Sequence, residues 1–254
     1  MSKINILKIN ICNTRFEKLL KEIEDSIHNN LKISILYLNA YGVNLTRNNI
    51  QLVTSLNSAD IVHIDGIGIW LALKFLFKVR IPRFNWTDYA YKFLSICERN
   101  QWTIFFLGST DKTLEKARNN LFSQFPNLIL AGTMNGYSDL SDSKVIDKIN
   151  KVSPQILWVG LGTPKQEIWI QKNKDKLNCR VIQSVGDVFS LFARERIRGP
   201  VYLRKLGFEW LFRLTQNPGR FWRRYLLGIP KFIFLVLCEK IKLILRIKSS
   251  KISQ

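Results

Sequence analysis

The 254-residue chain has two histidines, His28 and His63, and four cysteines, Cys12, Cys97, Cys179 and Cys238, with no CxxC pair. That supply is too small and too scattered for a structural zinc site. Four dispersed thiols also suit a reducing cytosol better than a disulfide-held secreted fold. There is neither a Walker A loop nor a complete GxGxxG fingerprint, so a nucleotide would have to be held another way. An Asp-x-Asp pair, the usual anchor for a divalent metal on a sugar-nucleotide diphosphate, is missing too. If the substrate carries a diphosphate, arginines must neutralise it. Long apolar runs are scarce. The stretch Phe232 to Cys238 is bracketed by Lys231, Glu239, Lys240 and Lys242, and its seven residues fall far short of the about 20 that a membrane span needs. Met1 to Thr14 is too polar for a signal peptide.

Acidic residues are the other shortage: 19 Asp and Glu face 39 Lys and Arg, for a net charge of +20. The imbalance is concentrated, because residues 190–254 hold 15 Lys and Arg against 3 acidic side chains. That quarter of the chain calls for an anionic partner, whether nucleic acid, a phosphorylated ligand or an anionic membrane. The hydrophobic content of 46% and aromatic content of 12% exclude a disordered chain and allow a sizeable core.

What the sequence does contain is an alternation of short apolar runs and helical patterns. Ile4 to Ile11 alternates as a strand, and Phe16 to Ile23 has helical spacing. Strands are expected at Ile33 to Leu38, Ile61 to Ile64, Trp102 to Leu107, Leu128 to Ala131, Ile156 to Leu161 and Arg180 to Val185. Such alternation predicts an α/β fold, a Rossmann-like and mostly parallel sheet with flanking helices. After Gly199-Pro200 the pattern changes to aromatic and basic helices, so the chain divides into an α/β domain over 1–198 and a basic helical appendage over 199–254.

Three stretches carry candidate chemistry. In Ile61-Val62-His63-Ile64-Asp65-Gly66-Ile67-Gly68, a β-branched run ends in a carboxylate before the chain turns helical. Ligands sit outside the carboxyl ends of strands in open α/β sheets, so Asp65 is placed to act as a base; capping the next helix is the plainer role for the same residue. In Gly160-Leu161-Gly162-Thr163-Pro164-Lys165-Gln166-Glu167, Thr163 reads as an N-cap, Pro164 as the first helical residue and Gln166 as the capping-box position. The free amides there suit an anion or a sugar hydroxyl, unless Gln166 simply closes an ordinary turn. Beyond Pro218-Gly219, Arg220, Arg223 and Arg224 stand at i, i+3 and i+4, one face of a helix. That face can grip phosphate oxygens or remain a solvated basic surface. Ile229 to Ile247 reads as an amphipathic helix lying on an anionic membrane surface, with a dimer-forming helix as the competing role.

Taken in order, Leu38-Asn39-Ala40, Ile64-Asp65-Gly66, Arg83 through Asp88, Phe106-Leu107-Gly108, Asn135-Gly136-Tyr137, the Val159 to Glu167 loop, Arg198-Gly199-Pro200 and Glu209-Trp210-Leu211-Phe212-Arg213 resemble the bacterial WecG/TagA/CpsF glycosyltransferase family. The resemblance runs from about Leu36 to Leu226. It implies transfer of a hexose, foremost N-acetylmannosamine, from a UDP-sugar to a polyprenyl-diphosphate-linked sugar in surface polysaccharide or teichoic acid synthesis, by direct and therefore inverting displacement. Asp65 matches the family's proposed general base. Asn39, Arg83 and Gln166 match residues lining the sugar and diphosphate pocket, and Arg213, Arg220 and Arg223 match arginines that close over the diphosphate in place of a metal. No cofactor is implied. The enzyme is expected in the cytoplasm, peripheral on the inner face of the membrane, with a homo-oligomer possible and no nucleic-acid partner. This chain departs from the family pattern at Tyr37, where many members have Thr, at Trp86 for Gly, at Ser190 for an acidic residue, and at Gly199 within the usual Arg-Ala-Pro. The two readings set against this one are a basic nucleic-acid-binding protein, which would show steeply salt-dependent affinity, and a nicotinamide-dependent oxidoreductase, suggested by the fold pattern alone.

Overall fold

A computed structural model of the chain describes residues 1–82, 85–137 and 142–252, with side chains except those of Lys205 and residues 246–252. The first element corrects the sequence reading. Ile4 to Ile11 is a hairpin, β1 (Lys3–Ile6) and β2 (Ile9–Cys12), with Ile6 opposite Ile9. Leu7 and Lys8 make its turn at φ values of 50° and 73°. Neither is the Gly, Asn or Asp that usually marks such a turn, so the alternation was visible and the reversal was not.

Next come α1 (Phe16–His28), β3 (Ile33–Leu38), α2 (Ala40–Thr46), α3 (Ile50–Asn57), β4 (Ile61–Ile64), α4 (Ile67–Phe77) and α5 (Trp86–Arg99). They are followed by β5 (Ile104–Gly108), α6 (Asp111–Phe122), β6 (Leu130–Met134), α7 (Asp142–Val152), β7 (Ile156–Gly160), α8 (Lys165–Asn173), β8 (Val181–Ser184) and α9 (Val188–Phe192). Six strands form one parallel sheet in the order β4-β3-β8-β7-β5-β6. β6 begins two residues later than expected, because the Leu128 amide is bonded to the Phe125 carbonyl in the preceding turn.

The sheet is buried on both faces, which is why its strands read as apolar runs rather than as strict alternation. Side chains still divide with a period of two. Leu36, Leu38, Val62, Ile64, Leu157 and Val159 join one core. Ile35, Ile61, Phe106, Ile156, Trp158 and Val181 join the other. Parallel pairing also puts all six carboxyl ends on one edge, and it is that edge which carries the site.

The chain continues through α10 (Val201–Leu206), α11 (Glu209–Gln216), α12 (Pro218–Trp222), a π-helical turn (Arg223–Leu227) and α13 (Gly228–Ile252). α13 returns to pack on α2 and α4. Phe232 and Val236 enter the first core, and the Gly228 carbonyl accepts the Asn44 side-chain amide at 2.7 Å. The opposite side of α13 leaves Ile233, Phe234, Leu237 and Ile241 exposed. Among the described residues, no helix is long and apolar enough to cross a membrane. Gly199, one of the departures noted above, has a packing reason: a Cβ there would come within 3.0 Å of the Phe212 ring.

Candidate active site

Asp65 follows directly on β4. Its amide donates to the Leu38 carbonyl at 2.8 Å, extending the β3–β4 pairing by one residue. Gly66 then turns the chain at φ 81°, a conformation that favours glycine, and α4 starts at Ile67. Gly66 occupies the cap position and α4 has no side-chain cap bond. The capping role for Asp65 is thereby removed.

The carboxylate stands where two cavities meet. One, of about 610 Å³, is walled mainly by apolar side chains, among them Ile67, Leu71, Phe75, Phe208, Phe232 and Leu237. The other, of about 320 Å³, is polar, with Tyr37, Thr87, Thr163, Gly186, Arg196 and Arg220 in its wall. Asp65, Asn39, Tyr41, Asn85, Arg213 and Arg224 belong to both. Burial pushes the Asp65 carboxyl up to about 6; Arg213 opposes this, Glu209 adds to it, and the Asn39 hydrogen bond and Arg224 oppose it further. Its Oδ1 is buried with no hydrogen-bond partner among the described residues. A carboxylate in that state can take a proton near neutral pH. His63, also in the polar wall, is held neutral: burial brings it down to about 4.

Cations arrive from the C-terminal helices. Arg213 projects from α11, and Arg224, from the π-helical turn, lies 4.5 Å over the Tyr41 ring. The Arg224 Nε is buried without a hydrogen-bond partner among the described residues. Asn217 caps α12, its Oδ1 accepting the Arg220 amide at 3.1 Å. A π-helical turn advances by a different angle per residue than an α-helix. The spacing that placed three arginines on one face therefore fails: Arg220 and Arg224 line the polar cavity, whereas exposed Arg223 lines neither cavity and lies 5.1 Å over the Trp222 ring.

A carboxylate pair ties this arm to α5 and to the segment that follows α9. Glu209 Oε1 is 2.8 Å from Arg196 and 3.4 Å from Arg213, and Asp88 Oδ1 is 2.7 Å from Arg198 and 3.0 Å from Arg204. Arg198 also donates to the Thr87 carbonyl at 2.9 Å. Burial raises the Glu209 carboxyl above its ordinary value, against the pull of Arg198. Several basic side chains thus turn inward to two carboxylates instead of forming the open stripe that a nucleic acid would follow.

The other expected site residues fare differently. Asn39 reaches both cavities while capping α2, with its Oδ1 accepting the Gly42 amide at 2.9 Å. Arg83 lies outside the described residues. Gln166 is fully buried and lines neither cavity; it stands behind Tyr37, donating to the tyrosine hydroxyl at 3.0 Å. The capping box is also corrected. α8 starts at Lys165 with Pro164 in the cap position, so the Thr163 hydroxyl donates to Glu167 at 3.0 Å instead of capping the helix. The site residues implied by the resemblance left out Tyr41, Glu209 and Arg224; Glu209 stood in the Glu209 to Arg213 motif and Arg224 on the arginine face, whereas Tyr41 had no signal. Among the described residues, no group of three His, Cys, Asp or Glu could hold a metal ion.

A family model described as "Glycosyl transferase WecG/TagA/CpsF family" matches residues 4–245. Two relatives from Staphylococcus aureus, strains MW2 and NCTC 8325 / PS 47, are each 30% identical over 247 residues, 95% of this chain and 95% of theirs. Both are named N-acetylglucosaminyldiphosphoundecaprenol N-acetyl-beta-D-mannosaminyltransferase.

Proposed function

The chain belongs to the WecG/TagA/CpsF glycosyltransferase family, and we propose that it moves N-acetylmannosamine from a UDP-linked donor onto an N-acetylglucosamine carried by a polyprenyl diphosphate, in surface polysaccharide or teichoic acid synthesis. The observation that carries this reading is the meeting of a polar and an apolar cavity at one carboxylate. The UDP-sugar is a substrate in the polar cavity, and no cofactor takes part. The acceptor enters from the apolar side, which suits its isoprenoid chain.

In the reaction an acceptor hydroxyl oxygen bonds to the anomeric carbon as the bond from that carbon to the diphosphate oxygen breaks. Asp65 takes the hydroxyl proton, and UDP leaves with the bonding pair. Attack from the face opposite the leaving group inverts the anomeric centre. Negative charge grows on the departing diphosphate beside Arg213, Arg220 and Arg224, and a preorganised donor at such a position contributes about 3 kcal/mol. Arg83 and Gln166 remain in this proposal as donor-side residues, Gln166 acting through Tyr37. Residues 1–198 supply the base and the floor of the donor cavity, and residues 199–254 supply the arginines and a membrane contact.

The membrane contact is supported by exposed apolar side chains: Leu71, Phe75, Ile233 and Leu237 line the larger cavity, and Phe234 and Ile241 are exposed on the same helix as Ile233 and Leu237. Lys74 on α4 and Lys231 and Lys242 on α13, the two helices that carry these side chains, are exposed. Apolar burial together with lysine attraction to anionic lipid would hold the protein peripherally on the cytoplasmic leaflet, where a lipid-linked acceptor is presented. The deciding experiment uses Asp65→Asn with UDP-N-acetylmannosamine and a short-chain lipid-diphosphate sugar acceptor. UDP binding should persist while transfer is lost; turnover at the wild-type rate would remove Asp65 as the base.

A further inference from the structure

Behind the polar cavity lies a hydrogen-bonded chain that joins Gln166 and Tyr37 to a buried carboxylate to which the reaction above gives no part. Buried Glu167 accepts at one oxygen, Oε1, from the Gln166 side-chain amide at 2.7 Å and from the Thr163 hydroxyl at 3.0 Å. The Gln166 amide also donates to the Tyr37 hydroxyl at 3.0 Å, and the Gln166 carbonyl oxygen accepts the Gly186 amide at 3.2 Å. These partners fix the orientation of the amide, since only its nitrogen end can serve Glu167 and Tyr37 while its oxygen faces an N–H group.

That orientation dictates what Tyr37 can do. Its oxygen is occupied as an acceptor, and the Thr163 hydrogen goes to Glu167. The tyrosine hydrogen is left with a long contact to Thr163 at 3.5 Å or with whatever occupies the cavity that Tyr37 lines. A ligand oxygen at an ordinary O–H···O separation of about 2.7 Å is the better partner. Burial, followed by the nearby Glu167 charge, raises the Tyr37 pKa above that of a free phenol, so it remains a neutral donor. Gly186 keeps the place open: a Cβ there would lie 2.7 Å from the Tyr37 hydroxyl oxygen.

We propose that Tyr37 is a specificity-determining residue for the donor hexose, its O–H directed at a neutral oxygen of the sugar, and that Glu167 is the positioning residue that holds Gln166 in the orientation this requires. The proposal rests on the donor assignment above and deepens it: the sugar moiety, rather than the nucleotide, is read here.

The test is calorimetric titration of the full-length chain with UDP and with UDP-N-acetylmannosamine. Tyr37→Phe should weaken binding of the UDP-sugar about three- to tenfold, the loss expected for one neutral hydrogen bond, and leave UDP affinity unchanged. Glu167→Leu should give the same selective loss, whereas Glu167→Gln, which keeps an accepting oxygen for Gln166 and Thr163, should restore the wild-type ratio of the two affinities. Undiminished sugar preference in Tyr37→Phe, or equal weakening of UDP and UDP-sugar, would overturn the proposal while leaving the transferase reading intact. A wild-type chain that binds neither ligand would overturn both.

Discussion

The two halves of the candidate active site are built from opposite materials. Asp65, Tyr37 and Asn39 sit at strand ends backed by fully buried residues such as Ile35, Leu38 and Val181, and hydrogen bonds such as Asp65 to Leu38 lock their backbone. Arg213, Arg220 and Arg224 come from α11, α12 and the π-helical turn, none of which contains a buried residue. One half is set by core packing; the other is held by ion pairs to Asp88 and Glu209 and by ring contacts. Segments with few buried apolar contacts open at lower free-energy cost. In the proposed reaction the comparison assigns rigidity to Asp65 as the base and adjustability to the arginines proposed to meet the diphosphate, which would let that arm close after a nucleotide enters.

The largest predicted effect attacks the rigid half. Asp65→Asn should reduce transfer about 10²- to 10⁴-fold, the range for a lost general base, with UDP affinity retained. In the soft half, Arg224→Ala should lower turnover about 10²-fold, within the range for one oxyanion donor, and should weaken UDP binding as well, which Asp65→Asn does not. If both variants shift UDP affinity alike, the division of labour fails. Phe234→Asp alters only the exposed side of α13; turnover on an acceptor embedded in anionic vesicles should fall about tenfold, with no change on a water-soluble short-chain acceptor. Equal loss on both acceptors would argue against a membrane role for α13.

Smaller effects sharpen the contrast. Because the Asp65 carboxyl is raised to about 6, the wild-type rate should be level above that pH and fall below it as the base is protonated. The stability effect has the opposite sense. A raised carboxyl binds its proton more tightly when folded, so its favourable contribution is complete below about 4 and is lost as pH rises through 6. Asp65→Asn should then raise the melting temperature near neutral pH by about 2 °C, corresponding to roughly 1 kcal/mol in a chain of this size, with less effect at pH 4. A thermal melt series against pH checks this. Arg223→Ala should be the mildest, changing transfer less than about twofold, in line with typical surface substitutions; a loss equal to that of Arg220→Ala would mean that the π-helical turn re-registers when the donor binds.

The strand ends were legible in the sequence and the C-terminal arm only in part. Ile61 to Ile64 ended where the structure ends β4, because a β-branched run stopped by Asp-Gly carries its own boundary. Leu7 and Lys8 show the limit: a left-handed turn made by residues that rarely adopt it leaves no local mark. Arg223 shows another, since spacing arguments assume α-helical geometry and the chain departs from it at that residue. Tyr41 was invisible because its place comes from what lies opposite it, and Glu209, although part of a quoted motif, had no partner until the fold set Arg196 and Arg213 against it. From the sequence alone came the alternating architecture, the concentration of positive charge near the C-terminus and the solitary acid at a strand end, since each depends on neighbours along the chain. Only the tertiary structure decided that polar and apolar cavities share Asp65, that Gln166 stands behind Tyr37, and that Arg224 rather than Arg223 lines the polar cavity. Those outcomes depend on contacts between residues more than a hundred positions apart, which packing creates and local pattern does not encode.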